Sequence, residues 1–344
     1  MMMNKAAFYI AARSQEAQGG IYAFDSDLNI VSFAPLQGAS CLALHPENPI
    51  LYSVSRAGTE NFLTAWKIGQ DGALEFLDRR NTHGQASCHL TADPSGKWLY
   101  CANYTSGDFD EFKLEDGLFA EADIHRQIHH DGTPGPVAAR QEGPHPHCTV
   151  FTPDGKYLCV TDLGLDEIRI YAFSPENGIT ETPCFRYHAS RPGAGPRHLL
   201  FAPDGVTAWL VNELDSTLSI LRYEAGQLFH RTTLSLLPEG CRTESYAAAL
   251  RLSADGRFLC ISNRGHDSIA CGAVLSDGMI RIDRFTPVGG KYPRDINFIA
   301  PDLLVSCNET SNDMTFFHYV PADGNLFPTG KKIALPSPVW ALPS

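Results

Sequence analysis

The chain has 344 residues, of which 43% are hydrophobic and 19% charged, and its formal net charge at pH 7 is -12. This composition is that of a folded globular protein and excludes an extended disordered chain. The acidic balance argues against a nucleic-acid surface, which needs a basic stripe to replace counterions. An anion bound by this protein must therefore meet a local positive pocket.

The strands follow one plan along the chain. The N-terminal segments "AAFYIAAR", "GGIYAFDS" and "NIVSFAP" predict three consecutive strands. Six repeats of apolar strand, turn and apolar strand come next, and a turn rich in Pro, Asp or Gly links the two strands of each repeat. In chain order they are "SCLALHPENPILYSVSR", "CHLTADPSGKWLYCANY", "HCTVFTPDGKYLCVTDL", "GPRHLLFAPDGVTAWLVNE", "AALRLSADGRFLCISNR" and "RDINFIAPDLLVSCNE". A third β segment follows each repeat, and a looser fourth follows most of them.

The C-terminal segment "SPVWALPS" predicts one isolated strand, which supplies the first strand that the N-terminal group lacks. Repeats of roughly 45 to 60 residues with four strands each are typical of a propeller. The sequence therefore predicts an all-β, seven-bladed β-propeller with four antiparallel strands per blade. Residues 1–344 form one domain in this prediction, and strands from the two chain ends close the ring.

The longest departure from the plan covers residues 115–147 and contains His125, His129 and His130. This stretch is too long for a routine connection. It predicts a loop, and two interpretations stay open: a surface excursion, or a lip over a binding site.

Charged residues recur where the first strand of each repeat begins and the second ends, and both positions lie at the same face of a propeller. The starts are Ser40, Cys88, His147, Arg197, Ala248 and Arg294; the ends are Arg13, Arg56, Tyr104, Leu163, Glu213, Arg264 and Glu309. Pairing between neighbouring blades, Arg264 with Glu213 or Arg294 with Glu309, is one explanation. Two acids cannot neutralise five guanidinium groups, however, so we expect an anionic ligand at the channel mouth.

The histidines suggest further roles. His145 and His147 lie two residues apart in "GPHPH", and His147 occupies a ring position where it can donate a hydrogen bond or carry a proton. A metal site is not predicted, because no neighbouring carboxylate has ligand spacing. His198 follows Arg197 directly, so alternation along a strand predicts that its side chain points away from Arg197, between the blades.

Other motifs exclude cofactor and covalent chemistry. Ser262, His266 and Asp267 are close in sequence, but the nucleophile elbow of a serine hydrolase is absent. The glycines of "GGKYPRD" do not form a nucleotide-binding loop, because no helix follows them.

Six of the ten cysteines lie in apolar runs typical of a reducing compartment, and there is no Cys-x-x-Cys pair. No signal peptide or transmembrane run is recognisable. We expect a cytoplasmic protein without cofactor, metal, nucleic-acid partner or membrane association; the oligomeric state is open.

Several motifs together resemble the seven-bladed propeller lactonase family, which includes bacterial 6-phosphogluconolactonases and fungal carboxymuconate cyclases. They are "EGPHPHCTVFTPDGKYLCVTDLG", "GPRHLLFAPDG" with "VNELDSTLS", "DGRFLCISNRGHDSIA" and "GGKYPRDI". The resemblance implies a catalytic set of His147, Arg197, Glu213 and Arg264, and a role in the pentose phosphate pathway. The chain departs from many relatives at Ala249 and Arg251, where an acid and a His are common, and at Glu309, where a Gln is common.

The resulting hypothesis is hydrolysis of a sugar lactone, with 6-phosphogluconolactone as the expected substrate. Glu213 or His147 takes a proton from water, while Arg197 and Arg264 stabilise the oxyanion. We expect the substrate's phosphate or carboxylate to bind among Arg13, Arg56, His145, Lys291 and Arg294. Two alternatives remain: a lactonising cyclase acting on a muconate-like diacid, and a non-catalytic ligand-binding propeller.

Overall fold

The computed structural model describes residues 5–120 and 125–344, and all regular secondary structure within those ranges is β-strand. No helix in the described residues is long and apolar enough to cross a bilayer. The strands in chain order are β1 (Phe8–Ala12), β2 (Gly20–Phe24), β3 (Ile30–Pro35), β4 (Cys41–Leu44), β5 (Ile50–Ala57), β6 (Glu60–Ile68), β7 (Leu74–Asn81), β8 (Ser87–Ala92), β9 (Trp98–Asn103), β10 (Asp108–Glu115), β11 (Leu118–Phe119), β12 (His125–His129), β13 (Pro146–Phe151), β14 (Tyr157–Asp162), β15 (Glu167–Ser174), β16 (Gly178–Ile179), β17 (Phe185–His188), β18 (Pro196–Phe201), β19 (Thr207–Asn212), β20 (Thr217–Glu224), β21 (Gln227–Ser235), β22 (Tyr246–Leu252), β23 (Phe258–Arg264), β24 (Ser268–Val274), β25 (Ile280–Pro287), β26 (Pro293–Ala300), β27 (Leu303–Asn308), β28 (Asp313–Val320), β29 (Asn325–Ala334) and β30 (Pro338–Pro343).

These strands form seven antiparallel sheets arranged in a ring, as the sequence predicts. Blade 1 contains β30 and β1–β3, blade 2 β4–β7, blade 3 β8–β12, blade 4 β13–β17, blade 5 β18–β21, blade 6 β22–β25 and blade 7 β26–β29. In blades 3 and 4 the outer strand is split into two pieces that pair with the same neighbour. The innermost strand is β30 in blade 1 and the first strand of each other blade.

The ring is closed by pairing between the two ends of the chain, which confirms the prediction. Strand β1 runs antiparallel to β30, with Phe8 opposite Pro343 and Ala11 opposite Trp340. Hydrogen bonds along this pair hold the first blade together from both termini. A closed ring leaves few unpaired strand edges.

The core lies between neighbouring blades. The middle strands β9, β19 and β23 are buried along their whole length, which explains their nearly continuous apolar sequences. Between blades 4 and 5, for example, Ile170 and Tyr187 pack against Leu210 and Leu221. Each blade is thus covered on both faces by its neighbours, and the first strands are fixed around the central channel.

The predicted loop over residues 115–147 is partly wrong. Strand β12, His125–His129, pairs with β10 as the outer strand of blade 3, so His125 and His129 do not lie in a loop. Its sequence is polar because an outer strand has one face in solvent, and Ile128 packs against the core. The true connection between blades 3 and 4 is the 130–145 segment.

Bulges at the start of the innermost strands place the residues that face the channel. The pairing register shifts between Ser87 and His89, Pro146 and Cys148, Pro196 and His198, and Pro293 and Asp295. The residue skipped at each bulge is Cys88, His147, Arg197 or Arg294, all four of which line the same cavity. A bulge re-aims a side chain without ending the strand. The same local device is therefore repeated around the channel mouth.

Candidate active site

A cavity of about 780 Å³ opens where the innermost strands begin. It brings together seven of the nine predicted site residues: Arg13, Arg56, His147, Arg197, Glu213, Arg264 and Arg294. They come from blades 1, 2, 4, 5, 6 and 7, so only the closed ring assembles them. Within the described residues, no group of three or more His, Cys, Asp or Glu side chains is placed to hold a metal ion.

Glu213 is the centre of one charge cluster. Its Oε2 accepts a hydrogen bond from Arg197 Nε at 2.8 Å and lies 2.7 Å from Arg264 Nη2, while Oε1 accepts from Arg140 Nη2 at 2.5 Å. Burial would raise the pKa of this carboxyl group, but the guanidinium groups of Arg264 and Arg197 outweigh it and hold the pKa well below its usual range. Glu213 is therefore ionised, and both of its oxygens are occupied.

Two of these arginines are fixed by backbone carbonyls as well. Arg197 Nη1 donates to Ala248 O at 2.8 Å, and Arg264 donates to Tyr246 O and Ala247 O at 3.2 and 3.3 Å. Burial and the neighbouring Arg264 lower the pKa of Arg197 to about 9, so it stays charged at pH 7. The site holds this cation at an electrostatic cost that a bound anion would relieve.

Glu309 forms the second charge cluster. It bonds to Arg13 and lies 3.7 Å from Arg294 Nη1, as the pairing interpretation predicts. Arg56 donates to Gly58 O at 2.8 Å and contacts no carboxylate among the described residues. Burial, and to a smaller extent repulsion from the nearby Arg294, lowers the pKa of Arg13. Six arginines line the cavity in all, whereas Glu213 and Glu309 supply two negative charges, so cations are in excess.

His147 lies in the wall of the cavity and is only 4% exposed. Its Nδ1 is buried and has no hydrogen-bond partner in the described part of the chain. Burial, followed by repulsion from Arg197, holds the pKa of His147 well below its usual range. The imidazole is thus neutral at pH 7 and can accept a proton.

His198 does not point between the blades, so that expectation was wrong. Its Nε2 lies 3.0 Å from Arg197 Nη1, its ring centre is 5.4 Å from that of His147, and it lines the cavity. The cause is the bulge between Pro196 and His198, which breaks the alternation of the strand and turns two consecutive side chains toward the channel.

Lys291 and His145 lie outside the cavity lining, contrary to their expected substrate-binding role. Tyr292 adopts a left-handed backbone conformation (φ 61°) and lines the cavity, whereas Lys291 is exposed. His145 stacks on Tyr104 with ring centres 4.3 Å apart, and its Nδ1 is 2.7 Å from Tyr104 O. His145 therefore supports the wall from behind, through Tyr104.

Among the cavity residues that the sequence did not predict are Arg140 and Trp340. Arg140 reaches Glu213 from the 130–145 segment, so the lip interpretation of this connection is the one that the structure favours. Trp340, from the closing strand, lies beside the guanidinium of Arg251 at 5.4 Å. Arg251 in turn bonds to the buried Asp295 at 2.8 Å. No periodicity marks Arg140, and a lone Trp in a terminal strand gives no sequence signal for a cavity.

Comparison with known proteins identifies the family to which this fold belongs. A family model described as "Lactonase, 7-bladed beta-propeller" matches residues 7–343. The chain is 30% identical to the 6-phosphogluconolactonase of Bacillus subtilis (strain 168), covering 98% of each chain. A protein from Lactobacillus plantarum superposes with a TM-score of 0.87 at 28% identity, covering 98% of this chain and 99% of that one. The periplasmic gluconolactonase of Pseudomonas aeruginosa gives 0.85 at 26% identity, covering 98% of each.

Proposed function

Because the chain belongs to the seven-bladed beta-propeller lactonase family and is accordingly a lactone hydrolase, we propose that it hydrolyses 6-phosphogluconolactone to 6-phosphogluconate. The observation that carries this proposal is the excess of arginine over carboxylate around one cavity. A phosphorylated sugar lactone supplies both an ester to open and the missing negative charge. The name of the Bacillus subtilis relative supports the same substrate.

Arg13, Arg56 and Arg294 bind the phosphate in this proposal. Arg13 and Arg294 share the single carboxylate of Glu309, and Arg56 has no carboxylate partner among the described residues. This group therefore retains about two positive charges. Guanidinium groups bind phosphate oxygens through two parallel hydrogen bonds, so a dianionic phosphate matches the excess in both charge and geometry.

The reacting carbonyl lies at the other charge cluster, near Arg197 and Arg264. Arg197 Nη2 and Arg264 Nη1 form no hydrogen bond with a described residue, so each guanidinium keeps one terminal nitrogen for a ligand. Their other nitrogens are held by Glu213 and by backbone carbonyls. Hydrogen-bond donors that are fixed before the reaction stabilise a developing oxyanion without the free-energy cost of reorienting themselves.

His147 is the general base, and Glu213 holds the arginines. Both oxygens of Glu213 are occupied by guanidinium groups and its pKa is far below the range of a useful base. His147 is neutral and lines the cavity. Burial is the largest cause of the low pKa of His147, which weakens it as a base; the bound phosphate would offset the smaller contribution, the repulsion from Arg197, Arg294 and Arg264.

His147 alone can carry out both proton transfers of the reaction. Water attacks the lactone carbonyl carbon and gives a proton to the imidazole, and the negative carbonyl oxygen faces Arg197 and Arg264. The bond between the carbonyl carbon and the ring oxygen then breaks, and the imidazolium returns its proton to the leaving ring oxygen. The carboxylic acid ionises in neutral solution, so each turnover releases one proton.

Proton release in a pH-stat, corrected for spontaneous opening of the lactone, tests this proposal. We expect His147→Ala to lower kcat by about 10² to 10⁴, the range typical of a lost general base. His188→Gln is the matched control, because this histidine is 72% exposed at its side chain on the same blade. A corrected rate that is unchanged in both His147→Ala and Glu213→Gln would contradict the proposed chemistry.

A further inference from the structure

The 130–145 segment presents Arg140 to the cavity from a fixed backbone. The neighbouring Gln141 is 1% exposed, and its Nε2 donates to Leu163 O of blade 4 at 2.8 Å. Its Oε1 accepts from Val137 N at 3.0 Å, which closes the turn that carries Arg140. Gly135 N also donates to Gly164 O at 2.9 Å. The backbone at residue 140 is therefore anchored, and only the arginine side chain extends over the cavity.

That side chain spans several blades. The guanidinium of Arg140 bonds to Glu213 at the end of β19 in blade 5 and lies 3.3 Å from the hydroxyl of Tyr104, just after β9 of blade 3. Its Cζ lies 5.5 Å from the ring centre of Tyr246, at the start of blade 6. Arg140 thus crosses part of the channel mouth, above the carboxylate that holds Arg197 and Arg264.

Arg140 differs from those two arginines in how it is held. Its side chain is 33% exposed, compared with 3% for Arg197 and 5% for Arg264. Arg197 and Arg264 donate to backbone carbonyls, whereas the polar partners of Arg140 among the described residues are the side chains of Glu213 and Tyr104. Arg140 can therefore leave Glu213 without breaking a bond to the backbone, and Glu213 keeps two guanidinium partners when it does.

We propose that Arg140 transfers from Glu213 to the carboxylate that forms when the lactone ring opens, so that the site recognises open-chain sugar acids. This inference rests on the proposed function, because it needs the reacting carbonyl near Arg197 and Arg264. The lactone carbonyl is uncharged, and hydrolysis creates a new anion beside a partly exposed, displaceable guanidinium. Arginine binds carboxylates through a planar fork, which Arg140 can offer once it turns from Glu213.

Two ligands that differ only at C1 test the inference by calorimetry. 6-Phosphogluconate carries a carboxylate there, and sorbitol 6-phosphate carries a hydroxymethyl group. We expect Arg140→Gln to reduce the preference for the carboxylate ligand at least tenfold, as for the loss of a charged hydrogen bond. Arg242→Gln removes the same charge from an exposed position between blades 5 and 6, and we expect it to leave the preference intact.

Equal weakening of both ligands by Arg140→Gln, or no weakening of either, would overturn the inference. If the glutamine variant does not fold, the preference for 6-phosphogluconate over sorbitol 6-phosphate is measured in Arg140→Lys instead. Lysine keeps the charge but lacks the planar fork of arginine, so this preference is again expected to fall. The binding ratio does not depend on turnover. A wild-type protein that binds both ligands but does not hydrolyse the lactone contradicts the proposed function, and a wild-type protein that binds neither overturns the inference as well.

Discussion

Acidification from pH 7.5 to 5.5 is expected to destabilise the folded protein steeply, because three histidines of the channel are buried in their neutral form. Burial, followed by repulsion from Arg251 and Arg197, lowers the pKa of His89 to about 3. Burial and repulsion from Arg197 also hold the pKa of His147 and of His198 well below the usual range. At equilibrium between pH 7.5 and 5.5, each of these side chains is protonated only in the unfolded chain. The stability of the folded protein therefore begins to fall near pH 6.5, the usual pKa of histidine.

The size of the effect follows from proton counting. A histidine whose folded pKa is lowered contributes stability that is fully present above its unfolded pKa and is lost as the pH falls below that value. Each proton taken up only on unfolding costs about 1.4 kcal/mol per pH unit, so three histidines give a slope of up to about 4 kcal/mol per pH unit. Carboxylates of the unfolded chain titrate mainly below about pH 5, so proton uptake by the unfolded chain between pH 6.5 and 5.5 comes mainly from histidine.

Urea unfolding at constant ionic strength, at several pH values between 7.5 and 5.5, measures this slope. We expect a flat free energy of unfolding above pH 7 and a steep fall below pH 6.5. Replacing His89 with Asn is expected to reduce the slope by about 1.4 kcal/mol per pH unit, the contribution of one proton. His188→Gln, at an exposed position, is expected to leave the slope unchanged. A slope below about 1.4 kcal/mol per pH unit between pH 6.5 and 5.5, which is less than one proton, would refute the conclusion that the channel histidines are neutral.

Three further outcomes follow from the charged groups in and behind the cavity wall. Glu213→Gln leaves buried guanidinium groups without a counter-ion and is expected to cost about 3 to 5 kcal/mol in urea unfolding, whereas the exposed Glu239→Gln costs almost nothing. Inorganic phosphate at 100 times its Kd is expected to stabilise the wild type by about 2.7 kcal/mol, and Arg294→Gln is expected to weaken this stabilisation in a thermal-shift titration. Arg251→Met leaves the buried carboxylate of Asp295 without a counter-ion and is expected to lower the melting temperature; adding Asp295→Asn, which removes the charge but keeps an acceptor for Ala341 N, is expected to recover most of the loss, and no recovery would show that the pair is not isolated.

The fold could be predicted because the strand pattern of a blade is local in sequence and is repeated along the chain. Six of the seven blades show two apolar strands around a Pro, Asp or Gly turn, and the isolated terminal strand "SPVWALPS" completes the first blade. Equivalent positions of a ring must converge, so the residues at strand starts and ends could be placed at one mouth without knowing any contact. Outer strands were less visible: β12 has a polar sequence because one of its faces lies in solvent.

The detail of the site depends on features that a sequence pattern does not show. Simple alternation placed His198 on the wrong face, because the bulge after Pro196 adds a residue to the strand. Lys291 was displaced from the cavity by the left-handed turn at Tyr292. Arg140 belongs to a segment without periodicity, and its position is set by the buried side chain of its neighbour Gln141.

A crystal structure of the protein with 6-phosphogluconate tests the central claim most directly. We expect phosphate oxygens within hydrogen-bonding distance of Arg13, Arg56 or Arg294, and the carboxylate beside Arg197 and Arg264, where His147 lies in the wall of the cavity. A ligand bound outside this cavity, or one whose phosphate lies at Arg197 while its carboxylate lies at Arg56, would contradict the assignment of the two ends.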